Sequence, residues 1–363
     1  MTPLRLAVAA GLVGFAACNQ PDAVSTGFTT PGVTTRPDGT SGGDSTSTSG
    51  GASSSSTSAG STGSGAAEGS SGTSTTEATF PDMGSMPDFG GSPMGCKGKI
   101  DLLFVISRAG NMGPAQAKLV AAAPDFIATI QAQFDDFDLH IMVVDSEEGW
   151  WVEDCEFKTC PDSCDIDPNY PCGYQPTACD TTLGAGTIFN AGPNAADEPC
   201  ELGEHRYITK DTPNIDSAFK CIARVGTWGN NEMGDALLGA VSPTFNAPGG
   251  CNAGFVRDDA LLVLTMIGPE DEFGPGGSKA AKWQEWREAV VEAKHGDLNA
   301  IVALGIVSGD WCMPDLDPKY RLCNLIPSFP HSVLEHLTLD NFGGAFDKAA
   351  ALALEACSLF VPG

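Results

Sequence analysis

The segment Lys99–Gly113 constrains the fold of this chain more than any other stretch of the sequence. It reads KIDLLFVISRAGNMG, in which the apolar run Leu102–Ile106 ends in a turn of small and polar residues. A continuous apolar run is typical of a central parallel strand that is buried on both faces. Ligands of open α/β sheets bind beyond the carboxyl ends of such strands, so the turn that begins at Ser107 is the first candidate functional site.

Helices and strands are predicted to alternate after this first strand. Apolar residues at helical spacing predict a helix that starts at Gly113. Further buried strands are expected at Asp138–Asp145, Ala260–Ile267 and Asn299–Ser308. The order predicts a doubly wound α/β fold, with a mostly parallel central sheet and helices on both faces. His331 and His336 are expected on a short helix, where a spacing of five residues would place them on different faces.

The first 95 residues differ in composition from the rest of the chain. Residues 1–18 resemble an export signal, with a positively charged start and a short apolar core. The core ends in VGFAAC, which resembles the lipobox of bacterial lipoproteins and predicts a lipid on Cys18 that anchors the chain in a membrane. The alternative is an ordinary signal peptide with an incidental cysteine. Residues 19–95 are rich in Ser, Thr and Gly, so a disordered tether is predicted there.

Residues 96–363 have the composition of a globular domain and are long enough for one sizeable core. The whole chain has 46 acidic and 19 basic residues and a formal net charge of −27. Such a charge disfavours binding to nucleic acid and to anionic lipid surfaces. We therefore expect no nucleic-acid partner.

The cysteines predict disulfides formed in an oxidising compartment. The chain has 13 cysteines, and all except Cys18 lie at or beyond Cys96. The region at about 150–210 is rich in Cys, Pro and Gly and has no helical period, which predicts an insertion stapled by its own cysteines. Zinc is the alternative there, but no CxxC pair occurs. The candidate disulfide cysteines are Cys96, Cys155, Cys160, Cys164, Cys172, Cys179, Cys200, Cys221, Cys251, Cys312, Cys323 and Cys357.

Five elements of the sequence together resemble a von Willebrand factor type A (vWA) domain. They are the first strand DLLFVI, the turn and helix after it, the segment Gly229–Val241, the strand LLVLTMI, and Gly343-Gly344. The resemblance covers roughly residues 98–358, with the insertion excluded, and implies a Rossmann-like sheet. The layout of signal, lipobox, tether and cysteine-rich domain is similar to surface lipoproteins of Gram-negative bacteria. It implies a place in the cell envelope, with the outer membrane favoured.

The resemblance also implies a metal site that this sequence lacks in part. In the vWA family, the turn after the first strand usually reads Asp-x-Ser-x-Ser and holds Mg²⁺ together with a later threonine and aspartate. Here Ser107 and Ala109 replace the first two ligands, and the later aspartate aligns with Gly268 or Pro269. Arg108 adds a positive charge beside the site. We therefore expect no cofactor, because a hard divalent cation needs carboxylate ligands.

A rearranged metal site is the alternative. Carboxylates after the third buried strand could join Ser107 and Asn111 around Mg²⁺ or Ca²⁺, with Asp271 as the weak candidate ligand. Thr227 could stand for the loop threonine of the family. The candidate residues of the binding loops are Ser107, Arg108, Asn111, Thr227, Glu270, Asp271 and Glu272.

The sequence predicts a lipid-anchored binding or adhesion module of the cell envelope, without catalytic activity. Its partner would be an extracellular protein or glycan that contacts the loops at the carboxyl ends of the strands. Three alternatives stay open: cation-dependent adhesion, a structural envelope protein, and a secreted hydrolase with Ser107 as nucleophile. The hydrolase is less favoured because the G-x-S-x-G pattern of a nucleophile elbow does not occur at Ser107.

Specific disulfide pairs are expected from this fold. Cys96–Cys357 is predicted because the chain termini of such a domain lie close together. Cys312–Cys323 would close a local loop, and Cys221–Cys251 would bracket a helix. Apart from Cys18 and the cysteines of these three pairs, six cysteines remain, and they are expected to pair within the insertion.

Overall fold

The computed structural model describes most of the region from Cys96 to Phe360. The described residues are Cys96, 98–133, 138–148, Tyr174, 176–270, 277–280, 282–308, Cys312 and 319–360. They all belong to one compact unit of the chain, Ala78–Gly363. The predicted signal peptide, Cys18 and the predicted tether at 19–95 lie outside the described residues.

Six strands form one mixed sheet in the order β3-β2-β1-β4-β5-β6. The strands are β1 (Lys99–Ile106), β2 (Asp138–Asp145), β3 (Ile208–Thr209), β4 (Leu261–Pro269), β5 (Ile301–Ser308) and β6 (His331–His336). All pairs are parallel except β2 with β3, which is antiparallel. The predicted central strand is confirmed, because β1 lies inside the sheet and every residue after Lys99 is buried.

Helices cover both faces of the sheet. They are α1 (Gly113–Gln133), α2 (Ile215–Ile222), α3 (Met233–Val241), α4 (Pro243–Asn246), α5 (Trp283–Glu292), α6 (Arg321–Leu325) and α7 (Gly343–Leu359). Because alternate strand residues point to opposite faces, Leu102 and Phe104 join a core cluster with α1, α2 and α7. Leu103 and Val105 join a second cluster with α3, α5 and α6. The α/β character is therefore as predicted.

Phe104 shows how β1 positions the helices of the first cluster. Its ring centroid lies 5.8 Å from that of Phe126 in α1, 5.1 Å from Phe219 in α2 and 6.2 Å from Phe346 in α7. All three pairs are edge-to-face, the arrangement that aromatic quadrupoles favour. Phe104 thus packs against three helices, and the first of them, α1, begins at the end of the candidate turn.

The expected short helix at His331–His336 is wrong. These residues form β6, which pairs in parallel with β5 and places His331 opposite Val302. Without β6, the N–H and C=O groups along one side of β5 would lack strand partners, which is costly for a buried strand. This tertiary pairing overrides the local pattern of the segment.

Four disulfides join the described cysteines. The predicted bonds Cys96–Cys357 and Cys312–Cys323 are confirmed. The predicted Cys221–Cys251 bond is wrong, because Cys179 is bonded to Cys251 and Cys200 to Cys221. Pairing of Cys179 and Cys200 within the insertion is wrong for the same reason. The remaining predicted disulfide cysteines lie outside the described residues: Cys155, Cys160, Cys164 and Cys172.

The segment 176–210 explains these pairings, because it is part of the core. Phe189 and Ile208 are buried, and Ile208 belongs to β3 at the edge of the sheet. The side chain of Asn252, in the loop after α4, accepts a hydrogen bond from the N–H of Gly186 at 2.8 Å. The segment therefore packs against that loop and α2, and its two described cysteines bond to them.

A buried acidic residue lies near the amino end of β1. Asp101 accepts hydrogen bonds from Nε and from the backbone N–H of Arg257, both at 2.8 Å. Nδ1 of His140, on β2, lies 3.6 Å from the same carboxylate. Burial raises the pKa of Asp101 to about 6, although the charge of Arg257 acts in the opposite direction. Burial, and then the charge of Arg257, lowers the pKa of His140 to about 4.

These two groups give opposite pH dependences of stability. Between about pH 4 and 6 the folded state binds the Asp101 proton more tightly than the unfolded state, so this contribution to stability falls as the pH rises. As the pH falls from about 6.5 to 4, His140 becomes protonated in the unfolded state only, so the contribution of His140 to stability falls. Relative to that of the wild type, the free energy of unfolding of His140→Gln is expected to rise by about 1–2 kcal/mol as the pH falls from about 6.5 to 4.5.

Urea denaturation at each pH measures this difference. The matched control is His295→Gln, which removes a histidine whose side chain is 69% exposed. Parallel stability curves for His140→Gln and the wild type would contradict the lowered pKa of His140.

Candidate functional site

The turn after β1 is held from several sides. Ser107 is fully buried, and its N–H donates to the carbonyl of Ile267 in β4 at 2.9 Å. Its Oγ accepts the N–H of Ala109 at 3.1 Å. Nε2 of Gln116, in α1, donates to the carbonyl of Ser107 at 3.2 Å and to that of Gly226 at 2.6 Å. Gln116 therefore ties this turn to the loop 226–232.

Arg108 points into the protein and not into solvent. Its side chain is 1% exposed, and its guanidinium donates to Asn190 Oδ1 at 3.1 Å and to the carbonyl of Ala191 at 2.8 Å. A guanidinium nitrogen also lies 3.4 Å from Oδ2 of Asp145, the last residue of β2. Burial raises the pKa of Asp145, although the charge of Arg108 acts against this rise. Arg108 thus joins the turn after β1 to the end of β2 and to the segment 176–210.

The loop 226–232 lies against the same turn. A Cβ at Gly110 would be 3.8 Å from the carbonyl oxygen of Thr227, so the two loops are adjacent. The Thr227 hydroxyl donates to the carbonyl of Pro193 at 3.1 Å and accepts from Nδ2 of Asn194 at 2.8 Å. The structure therefore brings Thr227 to the candidate turn, with its hydroxyl already in two hydrogen bonds. Asn111 lies exposed in the turn itself.

Glu270, directly after β4, faces α6. Its carboxylate accepts the N–H of Leu322 at 2.6 Å and that of Cys323 at 3.3 Å, which caps the helix amino terminus. Its carbonyl accepts from Nδ2 of Asn231 at 3.3 Å, a contact with the loop 226–232. The other two candidate carboxylates, Asp271 and Glu272, lie outside the described residues.

The residues present do not fit a divalent cation of the vWA type. Ser107 Oγ is buried and accepts a backbone N–H, and the guanidinium of Arg108 already supplies a positive charge to Asp145. Within the described part of the chain, one group of potential metal ligands lies close together: Glu270 with Cys312 and Cys323. The two sulfur atoms are bonded to each other, so this group is a helix cap beside a disulfide.

Gly268 has no room for a carboxylate. A Cβ at this position would lie 2.5 Å from Met233 Sδ and 2.8 Å from Ser107 Cβ, and only the methionine is flexible. We expect Gly268→Ala to destabilise the protein by about 1–3 kcal/mol, because the overpacked site must shift. Chemical denaturation measures this loss. The matched control is Gly344→Ala in α7, where a Cβ meets no atom within 4 Å and is expected to be neutral or stabilising. Equal stabilities of the two variants would contradict the close packing at Gly268.

Sequence reasoning missed several polar residues of this site. Ser146 Oγ accepts the N–H of Arg108 at 3.0 Å and donates to the carbonyl of Asn230 at 2.7 Å. Glu147 is buried, accepts the N–H of Asn230, and has a pKa that burial raises. The signal for both was available, because they directly follow the carboxyl end of β2. No sequence pattern pointed to Asn190.

A partly exposed charge cluster lies next to these residues. Lys279 Nζ is 3.5 Å from Glu148 Oε1 and 3.5 Å from Glu232 Oε2. Its backbone N–H donates to Asp235 at 2.6 Å. Burial raises the pKa of Glu232, and the charge of Lys279 acts against this rise. We call the surface formed by the turn 107–112, residues 145–148, the loop 226–232 and Lys279 the carboxyl edge.

Comparisons with known proteins find distant structural likeness only. No protein-family model and no curated protein matches the chain. Proximal thread matrix protein 1 from the mussel byssus is 12% identical, with a TM-score of 0.35; the match covers 73% of this chain and 47% of that one. The pilus adhesin SpaC from Lactobacillus rhamnosus GG is 11% identical, with a TM-score of 0.36; the match covers 72% of this chain and 31% of that one. This chain thus spans less than half the length of either protein.

Among the described residues, no helix is both long and apolar enough to cross a bilayer.

Proposed function

We propose that this chain is a lipid-anchored module of the bacterial cell envelope that binds an extracellular protein or glycan through its carboxyl edge. The domain is of the vWA type, with a doubly wound sheet, and has no catalytic role. The sequence supports the location through its export signal and lipobox. The four disulfides among the described cysteines are typical of an oxidising, extracellular environment.

The observation that carries the binding role is the exposure of Trp228. Trp228 is 52% exposed, and it is one of two exposed large hydrophobic residues among the described residues. Trp228 lies in the loop 226–232, which Gln116, Ser146 and Thr227 fix through hydrogen bonds. A tryptophan held on a rigid loop loses little conformational freedom on binding, which is why this residue is enriched at binding hot spots.

The same geometry supports binding without a metal ion. In this proposal, the guanidinium of Arg108 takes the place of a bound cation, because it neutralises Asp145 and anchors three chain segments. The hydrolase alternative is disfavoured by the burial of Ser107, whose Oγ is not accessible to a substrate. A fluorophosphonate probe is therefore expected not to label Ser107.

Cell adhesion tests this function. Cells of a Gram-negative host that display the full chain are applied to surfaces coated with gelatin, casein, cellulose or chitin. We expect retention on at least one coating, no effect of EDTA, and loss of retention in Trp228→Ser. The matched control is Leu359→Ser, which removes the other exposed large hydrophobic side chain, 51% exposed in α7.

Three outcomes would contradict the proposal. Wild-type cells that are retained on no coating would contradict adhesion itself. Loss of retention in EDTA would favour the rearranged metal site. Equal retention of the two serine variants would remove Trp228 from the binding surface.

A further inference from the structure

We infer that the carboxyl edge recognises a cationic partner, in which a lysine or arginine side chain lies on Trp228 and is attracted by the carboxylates beside it. The inference rests on the proposed binding function and adds the chemistry of the partner. The occupant is a lysine- or arginine-rich segment of another protein.

A partner can reach only some of the charges at the carboxyl edge. Arg108 is 1% exposed, and its guanidinium donates to acceptors of the protein itself, so it offers no charge to a ligand. Among the described ionic groups of the carboxyl edge, Glu148 and Lys279 are more exposed than Arg108: their side chains are 58% and 70% exposed. An anionic partner would therefore meet Glu148 and one lysine that carboxylates already hold.

Acidic side chains predominate around Lys279. Lys279 is shared between Glu148 and Glu232, and its backbone N–H is bound by the carboxylate of Asp235. The ammonium group of Lys279 thus pairs with two carboxylates, and a third carboxylate nearby accepts only a neutral backbone N–H, so the local charge is negative, as is the charge of the whole chain, −27. A cationic segment is complementary to this surface, and the field of the protein would steer it there.

Trp228 offers an exposed aromatic side chain to such a cation. An exposed indole face attracts ammonium and guanidinium groups, and tryptophan is the best of the aromatic residues for this interaction. Glu147 accepts the N–H of Asn230, two residues beyond Trp228, so a carboxylate lies beneath the same loop. Burial raises the pKa of Glu147, and the charges of Asp145 and Glu232 act in the same direction, whereas the hydrogen bond from Asn230 and the charge of Arg108 lower it.

Fluorescence anisotropy with a labelled (Gly-Lys) repeat peptide tests this inference. The full chain is kept in non-ionic detergent at about 0.15 M salt, where surface charges separated by more than about 8 Å are largely screened. We expect the lysine peptide to bind and a (Gly-Glu) repeat peptide not to bind. Trp228→Ser should weaken binding at least tenfold, and Trp228→Phe should retain part of it because phenylalanine keeps a π face.

Lys279→Ala is the most discriminating variant. It removes a cation that competes for Glu148 and Glu232, so we expect it to tighten binding of the lysine peptide by about threefold. Leu359→Ser is the matched control and should bind as the wild type does. Thermal unfolding of each variant verifies that the domain is folded.

The results separate this inference from the proposed function. If Trp228→Ser binds the lysine peptide as the wild type does, the attraction is only that of a protein with an excess of negative charge, and the inference is wrong. If adhesion depends on Trp228 but a neutral oligosaccharide inhibits it and the lysine peptide does not, the partner is a glycan. In that case the binding function stands and the cationic partner is wrong.

Discussion

Replacing Arg108 with methionine is expected to lower the free energy of unfolding by about 3–5 kcal/mol. The guanidinium is 1% exposed and lies 3.4 Å from Asp145, whose side chain is only 15% exposed. Methionine preserves most of the packing volume but leaves a carboxylate without its cation. It also removes the donors to Asn190 and Ala191, so buried acceptors lose their partners. The loss is expected to exceed that of an ordinary surface substitution several-fold.

Urea denaturation of the oxidised protein measures this cost. The matched control is Arg224→Met, because Arg224 is exposed and donates to the carbonyl of Ala195, in the same segment, at 2.8 Å. We expect that control to lose less than about 1 kcal/mol. In the double variant Arg108→Met/Asp145→Asn, the neutral amide should recover about 1–2 kcal/mol of the loss, because no unpaired charge stays buried.

The outcome decides what Arg108 does at the carboxyl edge. If Arg108→Met is as stable as the wild type, the guanidinium does not anchor the three segments. The proposal that Arg108 takes the place of a bound cation would then be wrong. If the double variant is less stable than the single variant, the cost comes from the lost hydrogen bonds to Asn190 and Ala191, and not from charge burial.

The buried strands could be predicted from the sequence because their pattern is local. The strands β1, β2, β4 and β5 are runs of apolar residues, and burial on both faces requires little else. The strand β3 has two residues and β6 is mostly half-buried, so neither carries such a run. Their place is decided by the free backbone groups of β2 and β5, and a sequence pattern contains no information on that pairing.

The place of the turn at Ser107, directly after a buried strand, could be predicted from the sequence, but the contacts that hold the turn could not. The rule that ligands bind beyond the carboxyl ends of buried strands indicates the turn at Ser107, and the same rule applied to β2 indicates Asp145 and Ser146. The partners Asn190 and Ala191 come from a segment without periodicity, whose contacts depend on tertiary packing. For that reason the sequence predicts Arg108 as a charge of the candidate binding loops, whereas the structure buries its side chain.

Removing the Cys96–Cys357 disulfide is expected to lower the free energy of unfolding by about 4 kcal/mol. This bond joins residues that are 261 positions apart, so it restricts the unfolded chain over nearly the whole domain. Other disulfides lie within that loop and already restrict the unfolded chain. The loss in free energy of unfolding is therefore expected to be smaller than for a loop of that length without other disulfides. Both cysteines are fully buried, so the test uses Cys96→Ala/Cys357→Ala, which places no hydroxyl in the core.

The matched control is Cys312→Ala/Cys323→Ala, which opens a loop of only 11 positions and should cost about 2–3 kcal/mol. Denaturant titrations of both pairs without reductant give the comparison. The Cys96–Cys357 bond also joins α7 to the residues just before β1. Its loss should therefore increase hydrogen exchange at the carboxyl end of α7 before global unfolding. Equal costs for the two pairs, with unchanged exchange in α7, would contradict the role of loop length and would assign both effects to local packing of the cysteines.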